Sequence, residues 1–271
     1  MSTSIQALLL GVVQGLAEFL PVSSSAHLIL ARAFFGFDGD KFGLAFDVAC
    51  HLGTLVAVLI YFRKDVGKMI AALPRIFDLH DPDARLIWQI AIATIPAIVA
   101  GLLFKHQVED HLRTPAVAAA MLAIGGILLA LAERSGSQTR SESSITFADA
   151  LFIGIAQAIA LVPGVSRSGA TITVALFLGL RRADAARFIF LIAIPAILGA
   201  AASEAPKMLK AGLAGDASLF VIGVVASAIV GYAAVKYFIQ YLAKHSLDVF
   251  AWYRLALAAA VLVWIYAVAP A

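Results

Sequence analysis

The sequence predicts an all-α polytopic membrane protein, with about six transmembrane helices plus two re-entrant helical hairpins in an inverted-topology repeat. Three observations predict it. The 271-residue chain is 62% hydrophobic and 14% charged, whereas soluble domains are roughly 45–50% apolar and about 25% charged. Its apolar runs have the length of bilayer spans and are parted by polar stretches. Finally, two segments, 14–27 and 163–171, place hydroxyls and ionisable groups close behind a proline in otherwise lipid-grade sequence. Such groups are costly inside a bilayer and mark function by default. An ordinary surface turn is the competing reading, and the apolar flanks oppose it.

In chain order, residues 5–20 read as a helix ended by Pro21, which lacks an N–H and clashes with the preceding turn. Ser23, Ser24 and Ser25 are N-cap candidates for a second helix over about 26–35, stopped at Gly36. Each piece is too short or too polar for a clean span. Together they read as a hairpin that dips in and returns, with irregular backbone tolerated only where protein or a cavity surrounds it. Residues 44–62 read as a span, and 63–85, with Pro74 and Pro82, as a polar basic connection. The next span is 86–104, kinked at Pro96. A short polar loop at 105–113 precedes a span at 115–132, whose Gly125-Gly126 suits close helix packing. The polar linker 133–144 marks the boundary between two halves of one membrane domain, 1–135 and 145–271.

The second half repeats the plan. Residues 147–162 end at Pro163-Gly164, a short helix follows to about Leu180, and spans are expected at about 186–204, 218–240 and 249–268. At the offset of 143 that relates Gly11 to Gly154, Gln14 aligns with Gln157, Val22 with Val165, Ser23 with Ser166 and Ser25 with Ser168. Downstream, at a different offset, Ile95-Pro96-Ala97-Ile98 matches Ile194-Pro195-Ala196-Ile197. One hairpin plus three spans per half is an odd number of crossings. The second half therefore enters from the opposite face, and the hairpin tips are expected to meet near the midplane.

Charge sets the expected orientation. Arg63, Lys64, Lys68, Arg75, Arg85, Arg134, Arg140, Arg181, Arg182 and Lys244 fall on one side, which the positive-inside rule makes cytoplasmic. Arg32, Lys41, Lys105, Arg113, Lys207 and Lys210 fall on the other. Both termini and the mouth of the first hairpin then face outward. The net charge of +3 is modest and scattered, so no nucleic-acid face is expected. No basic residue precedes Arg32, so no cleaved signal is expected. The single cysteine, Cys50, forbids an internal disulfide.

Chemistry concentrates at the two tips. Arg167 lies between Ser166 and Ser168 at an expected helix start. Its guanidinium suits bidentate phosphate binding, and free N–H groups at helix starts suit anions. A structural arginine bound to carbonyls is the alternative. Gln14 and Glu18 share a helix face at i, i+4 spacing. Beside a diphosphate they would hold a divalent cation, or Glu18 would pair with Arg167. His27 lies one turn beyond Ser24, which allows it to act as general base or acid; a buried histidine bonded to a carbonyl is the alternative. His51 reads as structural. Zinc-ligand spacing, a Walker loop and a dinucleotide fingerprint are absent from the sequence.

Gln14-x-x-x-Glu18, Pro21-Val-Ser-Ser-Ser-Ala-His27 and Pro163-Gly-Val-Ser-Arg-Ser-Gly-Ala-Thr171 resemble the signature motifs of bacterial undecaprenyl-diphosphate phosphatases, the family linked to bacitracin resistance. The resemblance extends over nearly the whole chain. It implies hydrolysis of undecaprenyl diphosphate to the monophosphate carrier lipid used for peptidoglycan, and dependence on a divalent cation, Mg2+ or Ca2+. The implied setting is the bacterial inner membrane, with the site open to the periplasmic side. By position, Glu18, Ser24, His27 and Arg167 would be the catalytic set. Ser23, Ser25, Ser166, Ser168, Gly169 and Thr171 would line the phosphates, and Glu18 and Gln14 would face the metal. Many members carry glutamate where this chain has Gln14, which leaves a two-carboxylate metal site in question. The expected partners are the polyprenyl diphosphate and membrane lipids, and a homodimer is allowed. A polyprenyl-phosphate flippase or transporter using the same midplane site is the alternative function. A purely structural subunit would leave the intramembrane charges unexplained.

Overall fold

The computed structural model describes residues 2–39, 41–211 and 217–267. The side chains of Lys105, Glu109 and 204–211 lie outside the described residues. Lys105, Lys207 and Lys210 of the orientation count fall there, as does residue 268 of the last expected span.

All described regular structure is helical apart from one isolated bridge. Helix α1 spans Thr3–Ala17 and α2 Ser24–Phe35, the latter ended by Gly36 in the left-handed conformation. Helix α3 is Leu44–Tyr61. The 63–85 connection is more ordered than its polarity suggests, because it carries α4, Arg63–Ala72, and a 3-10 turn, Leu73–Arg75. Its lysines, arginine, methionine and alanines favour helix, and no proline intervenes before Pro74.

Helix α5, Pro82–Gln107, contains Pro96 and runs into a π turn, Val108–Leu112. The expected loop at 105–113 is thus largely helical, since no proline or glycine breaks the backbone before Pro115. Helix α6, Pro115–Ser135, starts with Thr114 capping the Val117 N–H and Pro115 in the first turn. A Thr146–Asp149 capping box starts α7, Phe147–Ile159. The remaining helices are α8, Arg167–Phe177, α9, Arg182–Ala211, α10, Ala217–Leu242, and α11, Asp248–Ala267.

Among the described residues, six helical segments are long and apolar enough to cross a membrane: Leu44–Tyr61, Pro82–Phe104, Pro115–Ser135, Arg182–Ser203, Ala217–Leu242 and Asp248–Ala267. They coincide with the six spans expected from hydropathy. Large apolar side chains such as Leu102, Leu103, Ile229, Val263 and Tyr266 face outward. A bilayer solvates such a surface, whereas water would drive it to aggregate.

The most extensive helix contacts are α3 with α10, α1 with α10, α6 with α11, and α5 with α7. Small residues let these backbones approach. A Cβ on Gly11 would lie 2.7 Å from Gly223 O, and one on Gly154 would lie 2.6 Å from Ala93 O. An aromatic core of Phe19, Phe62, Phe190 and Phe238 joins α3, α9 and α10 to the end of α1, with Phe19 edge-on to Phe190 at 5.3 Å.

The linker at 136–146 is tied down by charge. Arg140 pairs with Asp149 and donates to Leu178 O at 2.8 Å, and its backbone bridges to Leu180. Arg187 joins Asp65 to Glu142, and Arg182 pairs with Glu133. These contacts bind α4, α6, α9 and the linker on one face.

Gly53 meets α10 so closely that a Cβ would overlap Ser227 Oγ and Val224 O, whereas Gly67 has nothing within 4 Å. Gly53→Ala is therefore expected to destabilise the detergent-solubilised protein by roughly 1–3 kcal/mol. Gly67→Ala, by removing a helix-interior glycine, is expected to gain about 0.5–1 kcal/mol. Thermal unfolding followed by intrinsic fluorescence reads both.

Candidate active site

Two broken helices build the site. α1 ends at Glu18, Pro21 prevents its continuation, and Ser23 caps α2 by accepting the Ala26 N–H at 3.4 Å. In the same manner, Ser166 caps α8 by accepting the Gly169 N–H at 3.1 Å. Both capping serines hold positive φ, 73° for Ser23 and 71° for Ser166. Such backbone costs a non-glycine residue about 1–3 kcal/mol and persists where surroundings over-determine it. Each serine also shares a 3.2 Å hydrogen bond with the serine two residues on, Ser23 with Ser25 and Ser166 with Ser168.

The two turns meet at Glu18. Its carboxylate is buried and pairs through Oε1 with the Arg167 guanidinium from α8. Oε2 accepts from Gln14 Nε2 and Ser24 Oγ, each at 2.8 Å, and stands 3.3 Å from His51 Nε2 on α3. Ser168 Oγ donates to Leu20 O at 2.9 Å, a second tie between the turns. One carboxylate thus collects groups from α1, α2, α3 and α8. Each partner is a donor or, for histidine, able to become one, which is what a buried anion requires.

The other predicted residues divide. His27 is not bonded to Ser24: its Nδ1 lies 2.7 Å from Ser23 O and its Nε2 2.7 Å from Tyr253 Oη, with the two rings stacked. Because a carbonyl only accepts, Nδ1 carries the proton and Nε2 accepts the tyrosine O–H. Ser24 is directed at Glu18 instead. Thr171 Oγ1 donates to Arg167 O at 2.6 Å, so its hydroxyl is spent on its own helix. Gly169 serves packing, since a Cβ there would overlap Arg254 Nη1.

Three residues beyond the expected set contribute. Arg254 on α11 is fully buried. It donates to the carbonyls of Pro21 at 3.3 Å, Met121, Leu122 and Gly164 at 3.2 Å, and Val165 at 3.0 Å. It therefore fastens both turns to α6. An arginine inside the last apolar span was the available sequence signal. Tyr253 precedes it, and nothing local marks it as a partner of His27. His51 makes the carbonyl bond of a structural histidine, Nδ1 to Asp47 O at 2.7 Å, yet also reaches Glu18.

Among the described residues, no three histidine, cysteine, aspartate or glutamate side chains form a group able to hold a metal. Gln14 nevertheless keeps a buried Oε1 with no hydrogen-bond partner, beside a carboxylate. An orphaned buried oxygen on the amide that is bonded to Glu18 through Nε2 fits a hard cation whose remaining ligands are waters and phosphate oxygens.

Fold and site together define an integral membrane protein whose polar centre is assembled from two interrupted helices. Residues 7–260 match the family described as bacitracin resistance protein BacA. Undecaprenyl-diphosphatase of Rubrobacter xylanophilus is 50% identical over 262 residues, covering 95% of this chain and 96% of that protein. Undecaprenyl-diphosphatase of Desulforudis audaxviator is 45% identical over 258 residues, with 95% and 96% covered. That of Thermodesulfovibrio yellowstonii is 43% identical over 258 residues, with the same coverage. The chain belongs to the BacA family.

Loss of the Arg254 fork leaves the turn carbonyls of Pro21, Gly164 and Val165 in need of donors, and a buried unsatisfied group costs about 1–3 kcal/mol. Arg254→Leu is expected to lower the unfolding midpoint far more than Tyr253→Phe, which removes one hydrogen bond of about 1 kcal/mol. Arg254→Lys, with one point of donation in place of a planar fork, is expected to fall between them. Equal midpoints for the three variants would contradict the role of Arg254 as a tie between the turns.

Proposed function

We propose that this chain hydrolyses undecaprenyl diphosphate to undecaprenyl phosphate and inorganic phosphate in the bacterial inner membrane. The activity is that named for its full-length relatives. The observation that carries it here is the meeting of Arg167, Ser24 and Glu18 at the starts of two helices. A diphosphate needs a guanidinium and free N–H donors, and hydrolysis needs a nucleophile beside a base.

In this reading Arg167 and the starts of α2 and α8 bind the diphosphate, with Ser23, Ser25, Ser166 and Ser168 shaping the two caps. Ser24 Oγ attacks the terminal phosphorus, and its proton passes to Glu18 Oε2. An Oγ–P bond forms, the bond from that phosphorus to the bridging oxygen breaks, and undecaprenyl phosphate leaves with the electron pair. Water then cleaves the phosphoserine, releasing inorganic phosphate and restoring the hydroxyl. The resting geometry favours Glu18 over His27 as the group that receives the Ser24 proton. His27 holds the first turn of α2 against Tyr253. A divalent cation, Mg2+ or Ca2+, held by Glu18 and Gln14, would neutralise phosphate charge. Donors set in place before substrate arrives are expected to supply much of the rate.

The same reading makes α1–α2 and α7–α8 re-entrant hairpins of inverted repeats, 1–135 and 145–271. The matched positive-φ caps of Ser23 and Ser166 support it. So does the way each hairpin packs on the other half, α1 on α10 and α7 on α5. The basic face of Arg140, Arg182 and Arg187 then lies in the cytoplasm, and the mouth near Arg32 and Arg113 opens to the periplasm.

Purified protein in detergent, with no membrane to cross, is expected to release phosphate from undecaprenyl diphosphate and to stop when a chelator is added. Arg167→Ala is expected to lose about 10²–10³-fold in kcat, the loss typical of one transition-state donor. A protein that binds the lipid without releasing phosphate would instead be a flippase or transporter. Near-normal hydrolysis by Ser24→Ala would replace the serine nucleophile with water activated by Glu18.

A further inference from the structure

We propose that Arg32 and Arg113 form a second phosphate site at the mouth, which holds a phosphate group on its way to or from the polar centre. The passage of phosphate rests on the hydrolase reading, whereas the site itself rests on charge and geometry around Asp47. Local sequence presents both arginines only as topology charges.

Three elements meet there. Arg32 lies in the last turn of α2, Asp47 in the first turn of α3, and Arg113 between the π turn and α6. Arg32 donates to Asp47 through both terminal nitrogens, Nη1 to Oδ2 at 3.1 Å and Nη2 to Oδ1. Arg113 Nη2 donates to the same Oδ2 at 3.2 Å. Two guanidiniums therefore share one carboxylate, and two positive charges with one negative leave a net +1. Around the linker the balance is the reverse. There Arg140, Arg181, Arg182 and Arg187 are met by Asp65, Glu133, Glu142, Asp149 and Asp184. Among the described ion pairs, guanidiniums outnumber carboxylates only at Asp47.

The excess charge is largely kept from water. The Asp47 side chain is 5% exposed, that of Arg32 15% and that of Arg113 27%. The carboxylate is thus the floor and the guanidiniums are the rim, with Arg113 outermost. Arg32 Nε is buried and has no acceptor, so this guanidinium is desolvated and short of partners. A charge withdrawn from water and only half neutralised is costly unless an anion joins it. Among the described residues Asp47 Oδ2 is the one acceptor of the Arg113 side chain, so its Nε and Nη1 remain available. A planar fork of N–H groups suits phosphate oxygens. Because Arg32 Nη1 and Arg113 Nη2 bond to the same oxygen, the two cations stand close enough to grip one phosphate between them.

Position gives the anion its identity. Asp47 precedes His51 by one turn of α3, and His51 Nε2 stands 3.3 Å from Glu18 Oε2. From Ser24 to Arg32, α2 rises about 12 Å. The rim therefore lies one step outward from the carboxylate that Ser24 touches. In the hydrolase reading each turnover brings one diphosphate in and sends one inorganic phosphate out. Both present a terminal phosphate group, and a cationic rim raises its local concentration at the entrance.

The test uses the full chain in detergent, with radiolabelled inorganic phosphate as the probe and equilibrium dialysis as the readout. Arg167→Ala removes the guanidinium of the centre, and this variant is expected still to bind phosphate. In that background Arg113→Gln is expected to weaken binding roughly tenfold or more, the loss of a hydrogen bond to a charged group. Asp47→Asn is expected to tighten it, because loss of the carboxylate raises the charge of the rim. A purely structural triad predicts the same sign for both substitutions, since each breaks the same pairs. Either substitution alone tests the site should the other not fold. Absence of phosphate binding in Arg167→Ala, unchanged binding with Arg113→Gln, or weaker binding with Asp47→Asn overturns the proposal. With Arg167 intact, Arg113→Gln separates the two sources of phosphate. A raised inhibition constant for inorganic phosphate assigns the rim to the leaving product, and a raised KM for undecaprenyl diphosphate assigns it to the incoming head group. If neither constant moves, the proposal is overturned. Phosphate release from the lipid without binding at the rim strikes this site and leaves the hydrolase standing. Binding at the rim without release supports the site and overturns the hydrolase.

Discussion

The fold depends on how one buried guanidinium is satisfied. Among the described residues Arg254 has no carboxylate partner, and it donates instead to carbonyls of Pro21, Met121, Leu122, Gly164 and Val165. Three of those carbonyls, of Pro21, Gly164 and Val165, lie in the turns where α1 and α7 have ended, so no helix supplies them donors, and the other two belong to α6. Buried in the protein, the guanidinium has no water to turn to. Each defect therefore resolves the other. Packing follows from the same fact: Gly125 and Gly169 stand where any Cβ would overlap the guanidinium. A helix end buried in protein is expensive alone, and this arginine supplies donors to two of them.

With the turns fixed, the polar centre can be built from short side chains. Glu18 receives a cation from α8, a hydroxyl from α2, an amide from α1 and an imidazole from α3. Such an arrangement is costly to leave half-made, because removing one member strands a charge in low dielectric. It is also organised before substrate arrives, which is the condition for electrostatic stabilisation without reorganisation. The two ties between turns, Glu18 with Arg167 and Ser168 with Leu20 O, draw the two helix starts together. An anion approaching one start therefore meets the other.

The distribution of charge separates two tasks. Ion pairs among Asp65, Glu133, Arg140, Glu142, Asp149, Arg182 and Arg187 clamp the linker and the ends of α4, α6 and α9. The pairs at Asp47 and Glu18, on α3 and at the end of α1, surround the polar centre. Asp47 connects the regions by geometry: Arg32 and Arg113 hold its side chain, and its carbonyl orients His51 toward Glu18.

The sequence by itself determined the membrane class, the six long apolar helices, both proline-ended turns and the family motifs, because these depend on local hydropathy and backbone chemistry. Gln14, Glu18, Ser23, Ser24, Ser166, Arg167 and Ser168 were legible as polar groups where lipid forbids them. The helical character of 63–72 and 105–112 was hidden by charge and polarity, which mark an interface as readily as a loop. Only the tertiary structure decided which partners those groups take. Ser24 bonds to Glu18 while His27 turns to Tyr253, and Arg254 reaches across from the last span. His51 arrives at the same carboxylate from α3. The physical reason is that a buried donor must be satisfied by whatever acceptor packing brings near, and all of these partners but Ser24 and Glu18 lie on helices far apart along the chain.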